Sequence, residues 1–371
     1  MMSSLFESVE INGMKLANRF VRSATWEGMA SQDGEVTPKL VDLMVQLARG
    51  GVGLIITSHA YVRRDGQAGS WQLGIYEDCL VKGLRDMTSA VHKEGGLIVA
   101  QISHAGFFAS PKLIRDTPLA LSPVQGFAKS PRKVMTGEDI QGIVDDFGRA
   151  GRRAKEAGFD GVQIHAAHGY LISQFLSPAF NKRNDSYGGS VENRARALLE
   201  TLANVRAAVG EDFPVLVKIN CEDYLEGGLS LGDSIKVGAM LETRGLDAIE
   251  LSGGTLVSGN LKPFRAGIKS EEKEAYFRNA ARAFKENIRV PLILVGGNRS
   301  FHVAEKLVDE GYADCISMSR PFIREPGLVK RWASGDLSKA KCVSDNQCFD
   351  AGMSGEGIYC VVEKKEKEKK A

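Results

Sequence analysis

At 371 residues the chain is long enough for two or three average domains or for one large α/β barrel with its loops and extensions, so length alone decides little. It is 43% hydrophobic and 25% charged with 41 glycines, which excludes disorder for most of its length and suits a globular protein with a substantial core and many tight turns. Lys and Arg total 48 against 46 Asp and Glu, so no overall field favours nucleic acid, an anionic membrane or a polyanionic substrate, and a small neutral or singly charged ligand fits better.

The N-terminal segment lacks a basic stretch followed by an apolar run, and nothing later approaches the roughly 20 apolar residues that span a bilayer. The chain therefore reads as cytoplasmic, with no membrane partner. From there, short apolar runs alternate with longer amphipathic stretches, the signature of βα units. Strands are expected at 19–24, 53–58, 97–103, 161–165, 215–220, 248–252, 292–296 and 315–319. Several are continuous aliphatic runs, as strands buried on both faces of a parallel sheet require. Between the third and fourth, residues 137–157 keep Ile140, Ile143, Val144, Phe147 and Ala150 at helical spacing. Eight units without a leftover predict a (β/α)8 TIM barrel over residues 1–340. No GxGxxG follows the first strand, which argues against a doubly wound dinucleotide domain. Chemistry in such a barrel collects at the C-terminal ends of its strands, where Ser23, His59, Gln101, His165, Lys218 and Ser319 fall. Residues 341–371 form a C-terminal extension holding Cys342, Cys348 and Cys360, three of six cysteines, and a terminal charge run to which no function is assigned. With Cys79, Cys221 and Cys315 they make no disulfide framework.

The most specific stretch is 161–196, GVQIHAAHGYLISQFLSPAFNKRNDSYGGSVENRAR. A lone His-x-x-His is equally a pair of zinc ligands or of core histidines, but no His-Glu-x-x-His is present and no nearby Cys or carboxylate completes a ligand set. With its flanks the stretch resembles the Old Yellow Enzyme family of FMN-dependent oxidoreductases, including the barrel portions of 2,4-dienoyl-CoA reductase and trimethylamine dehydrogenase. NRFVRSA, AQISHAG, VKIN, VGG and SRP sit in register at other strands, so the resemblance covers almost the whole chain.

The resemblance implies that His165 and His168 grip the oxygen of a carbonyl-activated alkene. An oxyanion donor is worth about 3 kcal/mol when charge builds on that oxygen. Tyr170 then gives a proton to the α carbon, as a phenol of pKa near ~10 stays protonated at working pH; the plain alternative is a tyrosine that only lines the pocket. Lys218 is expected beside the pyrimidine edge of FMN, where many relatives carry Arg, and Gln101 as an amide partner of the ring. Ser23, Thr25, Ala60 and His165 are further cofactor contacts. Gly296 and Gly297, with Ser319 and Arg320 one unit later, are expected to hold the FMN phosphate. NADH or NADPH is the expected reductant, and a homo-oligomer the expected assembly.

Two departures from the family stand out. Trp26 occupies the place where many relatives put a Thr or Cys that bonds the flavin; it contacts cofactor, shapes the substrate pocket or simply fills space. Cys342, Cys348 and Cys360 resemble the iron-sulfur segment of the larger relatives, but Asp345 stands where a fourth cysteine is normal, and loss of the cluster is the favoured reading over a three-cysteine or Asp345-ligated one. The expected function is hydride transfer from NAD(P)H through FMN to the C=C bond of an α,β-unsaturated carbonyl compound. Amine oxidation or demethylation on the same scaffold is the alternative, followed by a flavin-free aldolase or isomerase barrel. Residues 61–71 and 254–267 are candidate lids.

Overall fold

The computed structural model describes residues 3–123, 127 and 130–369; Met1, Met2, and the last two residues of the terminal charge run lie outside the described residues. Eight parallel strands close into a barrel: β1 (Phe20–Arg22), β2 (Leu54–Tyr61), β3 (Ile98–Ser103), β4 (Gly161–Ala166), β5 (Val215–Asn220), β6 (Ala248–Ser252), β7 (Leu292–Leu294) and β8 (Cys315–Met318). Closure is made where Ile316 of β8 stands beside Phe20 of β1. The predicted TIM barrel is thus the observed fold. Strands β1 and β7 are shorter than their apolar runs, because Ser23, Thr25 and Val295 already border the cavity at the strand ends. Strand β2 instead runs three residues past its predicted end.

The helix expected at 137–157 spans Gly137–Glu156, started by a capping box in which the Thr136 side chain accepts from the Asp139 N–H and Asp139 returns the bond. It buries Ile140, Ile143, Val144, Phe147 and Ala150, the stripe read from the sequence. Helix Val191–Val209 packs beside it, and together they cover β3 to β5.

Inside the barrel the sequence divides into layers. At the bottom, Val21, Leu54, Ile56, Val99, Leu216, Ala248, Ile293 and Cys315 fill the interior, sealed by Ile11, Met14 and Leu16 from an antiparallel hairpin, Val9–Ile11 with Met14–Leu16. Above them the interior turns polar, with Gln163, Lys218, Glu250 and Ser317 all nearly inaccessible. Apolar filling below and polar groups above place any chemistry at the upper mouth. Among the described residues no helix is long and apolar enough to cross a membrane.

Candidate active site

A cavity of about 420 Å³ opens over the C-terminal ends of the strands. Its wall includes Ser23, Thr25 and Trp26 after β1, His59 on β2, Gln101 on β3, His165, His168 and Tyr170 at the end of β4, Lys218 on β5, and Ser252 on β6. A narrower recess of about 60 Å³ adjoins it, bordered by Gly297, Asn298, Arg299, Ser319 and Arg320. The two share Pro263, Phe264, Val295, Ser319 and Phe349. The sequence-predicted residues therefore gather at one place, with two exceptions.

Ala60 is buried but does not border the cavity; its neighbour His59 does. The cause is a bulge in β2. Ile56 pairs with Val99 but His59 pairs with Gln101, so one extra residue in β2 rotates everything beyond it by one position. Gly296 also stands off the cavity wall. Its carbonyl accepts from the Tyr276 N–H, while Gly297 borders the recess with φ of +79°.

One face of the cavity is aromatic. The rings of His165 and His168 lie 5.1 Å apart at 75°, and Tyr170 is 5.0 Å from His165. His165 Nδ1 is buried with no hydrogen-bond partner among the described residues. His168 Nε2 meets Ser252 Oγ at 2.7 Å, and its backbone, at φ of +65°, is held by the Asn220 side chain. When the Ser252 hydroxyl donates, the ring keeps its hydrogen on Nδ1. Burial holds both imidazoles well below the ordinary histidine value, with the positive charge of Lys218 adding to the effect. They are neutral donors at pH 7. Burial also pushes the Tyr170 phenol up to about 12, so it retains its proton.

Beneath the cavity runs a polar chain that the sequence reading did not identify. Lys218 Nζ donates to Ser23 Oγ at 2.8 Å and lies 3.1 Å from Glu250. Ser23, Ser317 and Gln163 all donate to that carboxylate. Burial opposes its ionisation, yet Lys218 and these three donors hold Glu250 below the usual carboxylate range. Because a carboxylate only accepts, Gln163 must turn its NH₂ towards Glu250, and its oxygen then accepts from Gln101 at 2.7 Å. Gln101 keeps its own oxygen and one amide hydrogen for the cavity. A signal for Glu250 existed in the sequence: an acid within AIELS, on a strand expected to be buried on both faces, requires a partner.

The donor set suits a flavin mononucleotide. An amide edge and a buried cation face the main cavity, and the recess holds Arg320; among the described residues Trp26 Nε1, Asn298 Oδ1 and Arg299 Nε are buried there without a hydrogen-bond partner. Arg320 is held by the Arg265 carbonyl and by Asn346 Oδ1.

Asn346 belongs to the C-terminal extension, which supplies part of the wall through Phe349 and Met353. Both predicted lids contribute as well, Ala68 and Gly69 from one and Leu256, Pro263 and Phe264 from the other. Farther out, Cys342, Cys348, Cys360 and Asp345 border a recess of only about 10 Å³, and Arg324 donates to Cys360 Sγ. Among the described residues no group of three or more His, Cys, Asp or Glu is arranged to hold a metal ion.

Comparison with known proteins gives the family. The profile of the NADH:flavin oxidoreductase / NADH oxidase family matches residues 4–338. The chain is 33% identical to 4,4'-dithiodibutanoate disulfide reductase of Rhodococcus erythropolis, covering 97% of this chain and 95% of that protein. It is 35% identical to an NADH oxidase of Thermoanaerobacter brockii over 92% of this chain, but spans only 53% of that relative. A solved 2-naphthoyl-CoA reductase in complex with 2-naphthoyl-CoA superposes with a TM-score of 0.89 at 28% identity, covering 96% of this chain and 56% of the other. The chain belongs to the NADH:flavin oxidoreductase / NADH oxidase family, the Old Yellow Enzyme family of FMN-binding, NAD(P)H-dependent oxidoreductases.

Proposed function

We propose that the protein reduces the C=C bond of α,β-unsaturated carbonyl compounds at the expense of NADH or NADPH. FMN, when bound, supplies the hydride. The observation that carries this reading is the convergence of His165, His168 and Tyr170 on one wall of the cavity, with a buried and unpartnered nitrogen on His165.

The two neutral imidazoles bind the carbonyl oxygen and stabilise the charge it gains as hydride arrives at the β carbon. Neutral rings suit this task, since each offers an N–H without losing its proton to the oxygen. Tyr170 supplies the proton to the α carbon. Lys218 and Gln101 face the ring system of FMN, Ser23 and Thr25 frame it from β1, and Gly297, Ser319 and Arg320 hold its phosphate. Trp26, Phe349 and Met353 limit the size of the acceptor.

The test is a spectrum of the purified protein with and without NAD(P)H, followed by reoxidation with 2-cyclohexenone. His165→Ala is expected to retain FMN while losing about 100-fold in enone reduction, and to bind phenols correspondingly less well. Protein that takes up no FMN, or a variant that reduces the enone at the original rate, defeats the reading. The near full-length match to a disulfide reductase brings one second reading, an organic disulfide as acceptor. Reoxidation by 4,4'-dithiodibutanoate but not by the enone selects it.

A further inference from the structure

Gln72 dictates how the His59 ring is protonated. Its Oε1 accepts from the backbone N–H of Ala68 at 2.7 Å and of Gly69 at 3.4 Å, so Nε2 is the end turned to His59. That amide nitrogen has hydrogens to give and no capacity to accept. It donates to the His59 carbonyl at 2.8 Å and stands 3.0 Å from Nδ1. A neutral His59 must therefore accept at Nδ1 and carry its hydrogen on Nε2. Burial, the principal influence, lowers the His59 pKa to about 4, so the neutral form prevails.

His59 Nε2 lies 3.1 Å from Tyr170 Oη, with the two rings edge to face at 5.1 Å and 83°. Since this nitrogen only donates, the phenol oxygen accepts, and its own hydrogen is left to turn elsewhere. The cavity is the open side, because both residues border it.

We infer that Gln72 and His59 form a positioning relay that aims the Tyr170 proton into the cavity and stabilises the phenolate left when that proton is given up. The inference rests on the proposed role of Tyr170 as proton donor. In the step itself the Tyr170 O–H bond breaks, its electron pair stays on oxygen, and the proton forms a C–H bond with the electron pair at the substrate α carbon. The N–H of His59 remains bonded to its nitrogen throughout and strengthens its hydrogen bond as charge appears on the phenolate. Water returns a proton to Tyr170 after product leaves.

Two measurements test the relay. Photoreduced holoenzyme is mixed with 2-cyclohexenone and reoxidation is timed for the unaltered protein, His59→Leu, His59→Gln, Tyr170→Phe and the His59→Leu/Tyr170→Phe double variant. His59→Leu should slow reoxidation by about tenfold to a hundredfold, the worth of a hydrogen bond to a charged oxygen. His59→Gln, which keeps an N–H, should recover most of the loss. In the Tyr170→Phe background the same His59→Leu change should matter by less than about twofold, because the group it serves is gone. Equal slowing in both backgrounds marks a merely structural histidine and overturns the relay, as does no slowing at all. Heteronuclear NMR of histidine-labelled holoenzyme supplies the second measurement, with the His59 signal assigned by its loss in His59→Gln. It should show the hydrogen on Nε2, and a hydrogen on Nδ1 overturns the relay whatever the kinetics. Failure of the unaltered enzyme to be reoxidised by the enone counts against the proposed function instead, and the NMR result still decides the relay.

Discussion

Glu250 and Lys218 form an ion pair at the centre of the barrel, each almost wholly removed from water. Burying a lone charge there is prohibitive, so each residue tolerates its position only because the other is present. Glu250→Leu leaves the lysine facing an apolar side chain, and the loss expected is about 3–5 kcal/mol of folding stability. Adding Lys218→Met removes the orphaned charge and should restore much of that loss. Urea midpoints of the single and double variants check this, and a Glu250→Leu protein as stable as the parent refutes it. The inward direction of Lys218 was legible from alternation in VLVKIN, and register puts Glu250 directly beside it. What the sequence could not show was the pairing itself, because the two residues lie on strands joined only through a helix and neither motif names the other. The bulge in β2 is equally invisible to a strict two-residue period, and it turns His59 rather than Ala60 to the cavity wall.

At the scale of elements, the segment from 341 to 360 behaves as part of the cavity wall. Phe349 packs against Phe264 with ring centres 5.0 Å apart, the Gly267 N–H donates to the Ser344 carbonyl, and Gly352 lies against the indole of Trp26. The last approach is close enough that a Cβ on Gly352 would stand 2.9 Å from the Trp26 ring, tighter than real contacts allow. Gly352→Val should therefore push the segment away from the barrel and carry Phe349 and Met353 with it. The expected result is a KM for cyclic enones raised about tenfold with kcat changed less than about twofold, since the wall is displaced while the imidazoles stay in place. Steady-state kinetics check it, and an unchanged KM shows that the segment does not bound the substrate. Nothing in the cysteine spacing pointed to this role, because the contact depends on Trp26, which sits more than three hundred residues away in sequence.

Across the whole molecule the fold was the most legible part, since eight apolar runs with helical intervals admit few closed arrangements and the resemblance covers nearly all of them. The same architecture sets the acid stability of the protein. His59, His165 and His168 are collected at the barrel mouth as neutral rings, His59 with its pKa lowered to about 4 and the other two well below their ordinary value. In the unfolded chain each titrates near 6.5. As pH falls below about 6.5 the unfolded chain takes up protons that the folded protein refuses, so folding stability falls, by up to about 1.4 kcal/mol per pH unit for each histidine. For His59 the loss accumulates down to about pH 4, where the folded protein also protonates. Glu250, held below its usual range, extends the loss into the carboxylate region, whereas Asp223, raised mainly by burial, opposes it there. Urea midpoints of the FMN-loaded enzyme should therefore drop between pH 7 and pH 5, and His59→Gln should make that drop shallower. A midpoint that is flat over this interval means that the three rings do not stay neutral against an unfolded chain that charges, and the picture of uncharged donors over the cavity fails with it.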